Sequence, residues 1–131
     1  MMLSVTSDNQ KASALKKMAE VTLQRLESTE LEKYPSNTLT DYYDILHKLM
    51  EAMTISEGVK FKGDGAHQEL IDHVCQKQGL GEQIRQFLQQ MRDYRNRIAY
   101  EGFTISKNYI VLNQETITKL IKQLSEKITA L

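Results

Sequence analysis

Leu39-Thr40-Asp41-Tyr42-Tyr43-Asp44-Ile45-Leu46-His47-Lys48-Leu49-Met50-Glu51-Ala52-Met53 is the stretch that sets the fold class. Leu39, Tyr42, Leu46, Leu49, Met50 and Met53 recur at helical intervals, which stacks their side chains along one side of an α-helix. Tyr43 and Ile45 widen that stripe on either side. A stripe this broad implies a helix packed against more than one neighbour. The spacing predicts a helix from about Ser36 or Thr38 to Glu57. Thr38 and Asp41 resemble a capping box with the shorter acid, and Gly58 is placed to stop the helix.

The flanking sequence repeats the pattern more weakly. Residues 8–30 predict a first helix capped by Asp8. Leu15, Ala19, Thr22 and Leu26 line its inner face, widened by Ala12, Met18 and Leu23. Pro35 and Ser36 break the run. Lys60 to Gly65 reads as a loop, and Asp64 as the cap of a third helix from about Ala66 to Gln78, with Leu70, Ile71 and Val74 inward. A fourth helix runs from about Gly81 to Ala99, with Ile84, Phe87, Leu88, Met91 and Ile98 on one arc. Phe103-Thr104-Ile105 and Tyr109-Ile110-Val111-Leu112 flank polar Ser106-Lys107-Asn108, which predicts a short β-hairpin over about 103–112. Asn113 then caps a last helix from about Gln114 to Ala130, with Ile117, Leu120, Ile121, Leu124 and Ile128 inward. The expected fold is all-α: an antiparallel bundle of four to five helices with a short β-hairpin before the last one, in a single domain over 1–131.

Composition narrows the function classes. Seventeen Lys+Arg balance seventeen Asp+Glu, so binding of nucleic acid or anionic membrane by bulk charge is not expected. A single cysteine, Cys75, excludes an intrachain disulfide and suits a reducing compartment. The first residues do not read as a signal peptide, and no apolar run approaches the ~18 residues of a membrane span. The expectation is a cytoplasmic protein with no membrane partner.

The fourth helix holds the anomaly. At ~100° per residue, Arg95 falls inside the apolar arc, between Met91 and Ile98. A charge at such a position is costly unless it is paired or opens onto a cleft. Pairing with a core carboxylate, snorkelling, or a symmetric dimer interface would each explain it. So would a cleft for phosphate, which suits a bidentate guanidinium. Arg85, Gln89, Arg92 and Asn96 run beside the arc, and Tyr100 follows at its end.

Met91-Arg92-Asp93-Tyr94-Arg95-Asn96-Arg97-Ile98-Ala99-Tyr100-Glu101-Gly102 resembles the signature helix of HEPN domains. That family carries an Arg, usually followed by a polar residue such as Asn, and a His a few residues later. Arg95 and Asn96 match the start, and Tyr100 stands where the His would be. Asp41-Tyr42-Tyr43-Asp44-Ile45-Leu46 resembles the family's aromatic-rich second helix. Gly63-Asp64-Gly65-Ala66-His67-Gln68-Glu69-Leu70-Ile71 resembles the loop and helix start that follow it. The order of elements agrees across about 10–130.

The resemblance implies a small all-α bundle, commonly a homodimer. Many such proteins are metal-independent endoribonucleases of toxin–antitoxin and defence systems. The motif helices of two protomers meet in a shared RNA cleft. There the Arg orients or neutralises the scissile phosphate, and the His activates the ribose 2′-hydroxyl or protonates the leaving group. Some members are paired with a minimal nucleotidyltransferase that modifies a Tyr near the motif, here Tyr100. No metal or cofactor is implied.

Tyr100 departs from that pattern. A phenol titrates near ~10 against ~6.5 for imidazole, so it is a poor general base at neutral pH. The expectation is a non-catalytic or weakly active homodimer that binds RNA or a nucleotide. Arg95, Asn96 and Tyr100 occupy the catalytic positions, and Arg92, Arg95 and Arg85 bind phosphate. Two alternatives stand: an active metal-independent endoribonuclease, and a purely structural interaction module.

Other groups carry less. His47, His67 and His73 fall on different helices or too far apart to share one ligand face. His47 and Glu51 stand one turn apart, and His47 lies at the edge of the apolar stripe, where it would supply the missing imidazole if it faced the cleft. Gly63-Asp64-Gly65 lacks the Lys-Ser/Thr ending of a phosphate loop. Cys75 and Met18, Met50, Met53 and Met91 read as core packing.

Overall fold

In a computed structural model describing residues 1–128, the chain runs β1 (Met2–Ser4), α1 (Asn9–Glu27), α2 (Pro35–Ser56), β2 (Val59–Phe61), α3 (Ala66–Gln78), α4 (Glu82–Glu101) and α5 (Lys107–Lys127). The protein is mainly helical, with five helices and one two-stranded sheet among the described residues. The expected end of the last helix at Ala130 lies outside them.

α2 organises the rest. It contacts α1, α3, α4, α5 and β2. Twelve of its 22 residues are buried, including every member of the predicted stripe and both tyrosines, Tyr42 and Tyr43. Pro35 occupies the first turn, where a missing N–H costs nothing. The predicted capping box does not form. Thr38 donates instead to the Leu31 carbonyl at 2.7 Å, and Asp41 accepts from Arg25 at 3.0 Å.

α1 begins as expected, with the Asp8 side chain accepting from Lys11 N–H at 2.9 Å. Ala12, Ala19 and Leu26 are its buried residues. Small residues at 12 and 19 let α1 lie close along α2. Met18 departs from expectation: it is 53% exposed, whereas Met50, Met53 and Met91 are buried. α3 buries Leu70, Ile71, Val74 and Cys75, and burial pushes the Cys75 thiol up to about 11. Asp64 is not its cap; Gly65 holds that position.

The predicted hairpin over 103–112 is a helix start. Residues 107–112 form the first turns of α5, and Asn113, expected as a cap, lies inside it, donating to the Tyr109 carbonyl at 2.8 Å. Packing decides this. Ile110 and Ile117 are both fully buried and seven residues apart, the two-turn spacing of one helix face. Tyr109 meets Tyr94 edge-on at 5.5 Å between centroids, and Phe103 stacks on Tyr94 at 5.6 Å. The Ile105 N–H, which a hairpin would pair with backbone, donates to the Ser36 hydroxyl at 2.9 Å.

Strand pairing occurs elsewhere. β1 runs antiparallel to β2, with Leu3 opposite Lys60, so part of the predicted 60–65 loop is strand. Gly58 makes the junction. Its φ of +78° ends α2, and a side chain there would sit 2.7 Å from the Val5 carbonyl oxygen. Val5 N–H in turn donates to the Gly58 carbonyl at 2.8 Å. Among the described residues no helix is long and apolar enough to cross a membrane.

Candidate functional site

α4 is amphipathic but buries only Leu88 and Met91 fully. Ile84, Phe87 and Ile98 are half-buried, packed at the edges of the core. This leaves the predicted polar stripe beside α2 and α3, within reach of side chains there.

Arg95 sits at the α2–α4 seam. Its Nε lies 3.7 Å from Asp44 Oδ1, and its Nη1 donates to Asn96 Oδ1 at 3.4 Å. The Nε itself is buried and, among the described residues, has no hydrogen-bond partner. A charge-assisted pair normally closes to ~2.7–2.9 Å, so Asp44 offsets the charge without satisfying the donor. Arg92 stands one turn earlier. Its Nε donates to Gln89 Oε1 at 2.9 Å, and it has no carboxylate within ion-pair distance among the described residues.

Arg85 differs from both. Its Nε and Nη2 engage Glu82, the former at 2.9 Å, and its Nη1 engages Asp72 at 3.0 Å. Two carboxylates already fill that fork and hold the guanidinium firmly protonated. Tyr100 stands apart at the end of α4, 80% exposed. Asn96 is half-buried and turned to Arg95.

The histidines correct the sequence reading. His47 and His67, expected to lie apart, stack with centroids 4.1 Å apart. Tyr43, His47 and Glu51 follow at four-residue steps on one face of α2, while His67 enters from the first turn of α3. His47 Nδ1 lies 2.9 Å from Glu51 Oε1, and this bond holds the Glu51 carboxyl below its ordinary range. His67 Nδ1 lies 3.4 Å from the Tyr43 hydroxyl. Partial desolvation, then the charges of His47 and Arg95, lower the His67 imidazole below its usual value. Burial raises the Tyr43 phenol, against the opposing pull of Arg92 and Arg95. His73 is separate, 3.5 Å from Glu57 and against Phe61.

Arg92, Arg95, Tyr43, His47, His67 and Glu51 therefore form one connected electrostatic group. The guanidinium groups can take an anion, and a neutral imidazole beside them can accept a proton. Among the described residues no cluster of three or more His, Cys, Asp or Glu side chains is disposed to hold a metal ion. The imidazole pair was invisible to spacing because twenty residues separate its members. The only local signal was the four-residue series Tyr43, His47, Glu51.

No protein-family model, no curated protein and no solved structure matches the chain.

Proposed function

We propose that the chain is a HEPN-like antiparallel helical bundle that works as a homodimer binding RNA or a nucleotide, with cleavage lost or much reduced. The observation that carries this reading is Arg95: a half-buried guanidinium, one turn from Arg92, whose buried Nε has no hydrogen-bond partner among the described residues. A structural ion pair would satisfy that donor; a phosphate oxygen at the seam would do so as well. The role belongs to a cytoplasmic toxin–antitoxin or defence setting. Tyr100, 80% exposed, is accessible for modification by a nucleotidyltransferase partner. The two fully buried residues of α4 leave much of its surface for a second copy.

Structured RNA incubated with the protein in EDTA, wild type beside Arg95→Ala, tests the reading. Binding without cleavage is the expected result, weakened at least tenfold in the variant. Cleavage by wild type that vanishes in Arg95→Ala would overturn the degenerate reading. Sedimentation showing a monomer at micromolar concentration would overturn the dimer.

One observation favours a second reading, an active metal-independent endoribonuclease. Desolvation, then the charges of His47 and Arg95, lower the His67 imidazole below its usual value, so an imidazole is present at the seam even though Tyr100 replaces the motif His. Under that reading, cleavage in EDTA persists in Tyr100→Phe and is lost in His67→Gln.

A further inference from the structure

The imidazole pair also borders a pocket enclosed by residues of α1, α2, β2 and α3. The pocket has a volume of about 180 Å³. Its apolar lining comes from Leu15, Ile55, Phe61 and Leu70. Lys11, Lys60 and Lys62 line it as well, together with His47, His67 and Glu51. Lys60 lies on β2 and Lys62 just beyond its end.

None of these three lysines is paired with a carboxylate among the described residues. Lys11, Lys60 and Lys62 against Glu51 leave a net of +2 from the lysines and the carboxylate at the pocket. The chain as a whole has a net charge of zero, so this is a local concentration. Glu51 is already engaged by His47, and His67 Nδ1 lies 3.4 Å from the Tyr43 hydroxyl.

Charge and size together select a ligand class. A net of +2 complements a phosphate monoester, which carries about −1.5 to −2 at neutral pH, better than a singly charged carboxylate. The volume lies below the ~300–1,000 Å³ typical of drug-sized ligands, so the body must be small. The apolar lining requires that body to be apolar or aromatic.

We propose that this pocket binds a small organic phosphate monoester, its ring or short apolar body against Leu15, Ile55, Phe61 and Leu70 and its phosphate held by Lys11, Lys60 and Lys62. The proposal does not depend on RNA binding at α4.

Titration with phenyl phosphate tests it, followed by calorimetry and by the imidazole signals of His47 and His67 in NMR spectra. Phenol and inorganic phosphate, run in parallel, separate the contributions of body and anion. Phenyl phosphate is expected to bind at least tenfold more tightly than either fragment and to move both imidazole signals. The Lys60→Glu/Lys62→Glu protein is expected to lose at least tenfold in affinity, and Arg95→Ala, outside the pocket lining and acting on it only through the charge it places on His67, to lose less than threefold. Should the double variant not fold, Lys11→Gln, on the exposed side of α1, gives a several-fold loss instead. Phenyl phosphate binding no better than inorganic phosphate, binding that survives the lysine changes, or binding that disappears in Arg95→Ala would each overturn the pocket. The last result would move the anion site to α4, whereas failure of RNA binding alone leaves the pocket standing.

Discussion

α2 and α4 are of similar length, 22 and 20 residues, yet they bury twelve residues and two. α2 carries apolar side chains around most of its circumference and touches all four other helices. α4 carries one narrow apolar arc with a guanidinium inside it. The first helix supplies the free energy of burial, at ~25 cal/mol per Å² of apolar surface. The second holds charge near the edge of that apolar interior, where a lower dielectric strengthens each electrostatic contact. Apolar burial and charge are thus divided between two helices that meet at Tyr43, Asp44 and Arg95.

Substitutions can break this division. Leu46→Ala removes a side chain with no exposure from the centre of α2 and is expected to cost ~2–5 kcal/mol in urea unfolding. Ile98→Ala on α4 is half-buried, and about 1 kcal/mol is expected. Equal losses at the two sites would show that α4 is anchored in the core as deeply as α2.

Gly58→Ala tests the end of α2. A Cβ there meets the Val5 carbonyl oxygen at 2.7 Å on a backbone with φ of +78°. A loss of at least ~1–2 kcal/mol is expected from the left-handed conformation alone. An unchanged melting temperature would mean that β1 does not pair as described.

Arg95→Met separates the two roles most sharply. The change replaces an incompletely paired charge with an apolar chain of similar length, so stability is expected to stay within ~1 kcal/mol of wild type or to rise. RNA binding is expected to fall at least tenfold in the same protein. A loss of several kcal/mol would make Arg95 a structural ion pair and remove the main support for the cleft.

The smallest effect is a pH dependence. The folded-state value of His67 is lowered by desolvation, the charge of His47 and that of Arg95. The unfolded chain therefore takes up this proton first as pH falls. Folding stability is expected to decline as pH drops below the ordinary value of ~6.5, and to level off below the folded-state value. Glu51 opposes this shift at His67, and Arg92 adds to it. In His67→Asn that part of the slope should vanish. A slope identical to wild type would place the acid sensitivity elsewhere.

Much of the fold was legible because it is local. The apolar stripe of α2, from Leu39 to Met53, runs for about four helical turns, and periodicity that sustained survives any tertiary context. The starts of α1 and α3, and the whole of α4, lie within a residue or two of their predicted bounds. The failures have one physical character. Tyr109-Ile110-Val111-Leu112 is rich in β-branched and aromatic residues, and its strand propensity is overridden by the burial of Ile110 and the packing of Tyr109 on Tyr94. The real strands are three residues each and pair across more than fifty positions, which leaves no periodic trace.

The candidate site divides the same way. That Arg95 falls within an apolar arc follows from ~100° per residue and needs no coordinates. Glu82 meets Arg85 from one turn away on α4 itself, but that Asp72 takes the rest of the Arg85 fork, while Arg92 meets no carboxylate among the described residues, depends on which residues of α3 face α4. That His47 and His67 stack, and that lysines from α1 and from β2 and its end converge near them, is also a tertiary outcome. Spacing along the chain is enough to yield the helices and the misplaced charge, because both are properties of a single helical axis. Which charges are paired and which imidazoles meet was settled by the packing of one element on another, because those outcomes depend on distances between residues that the chain leaves far apart.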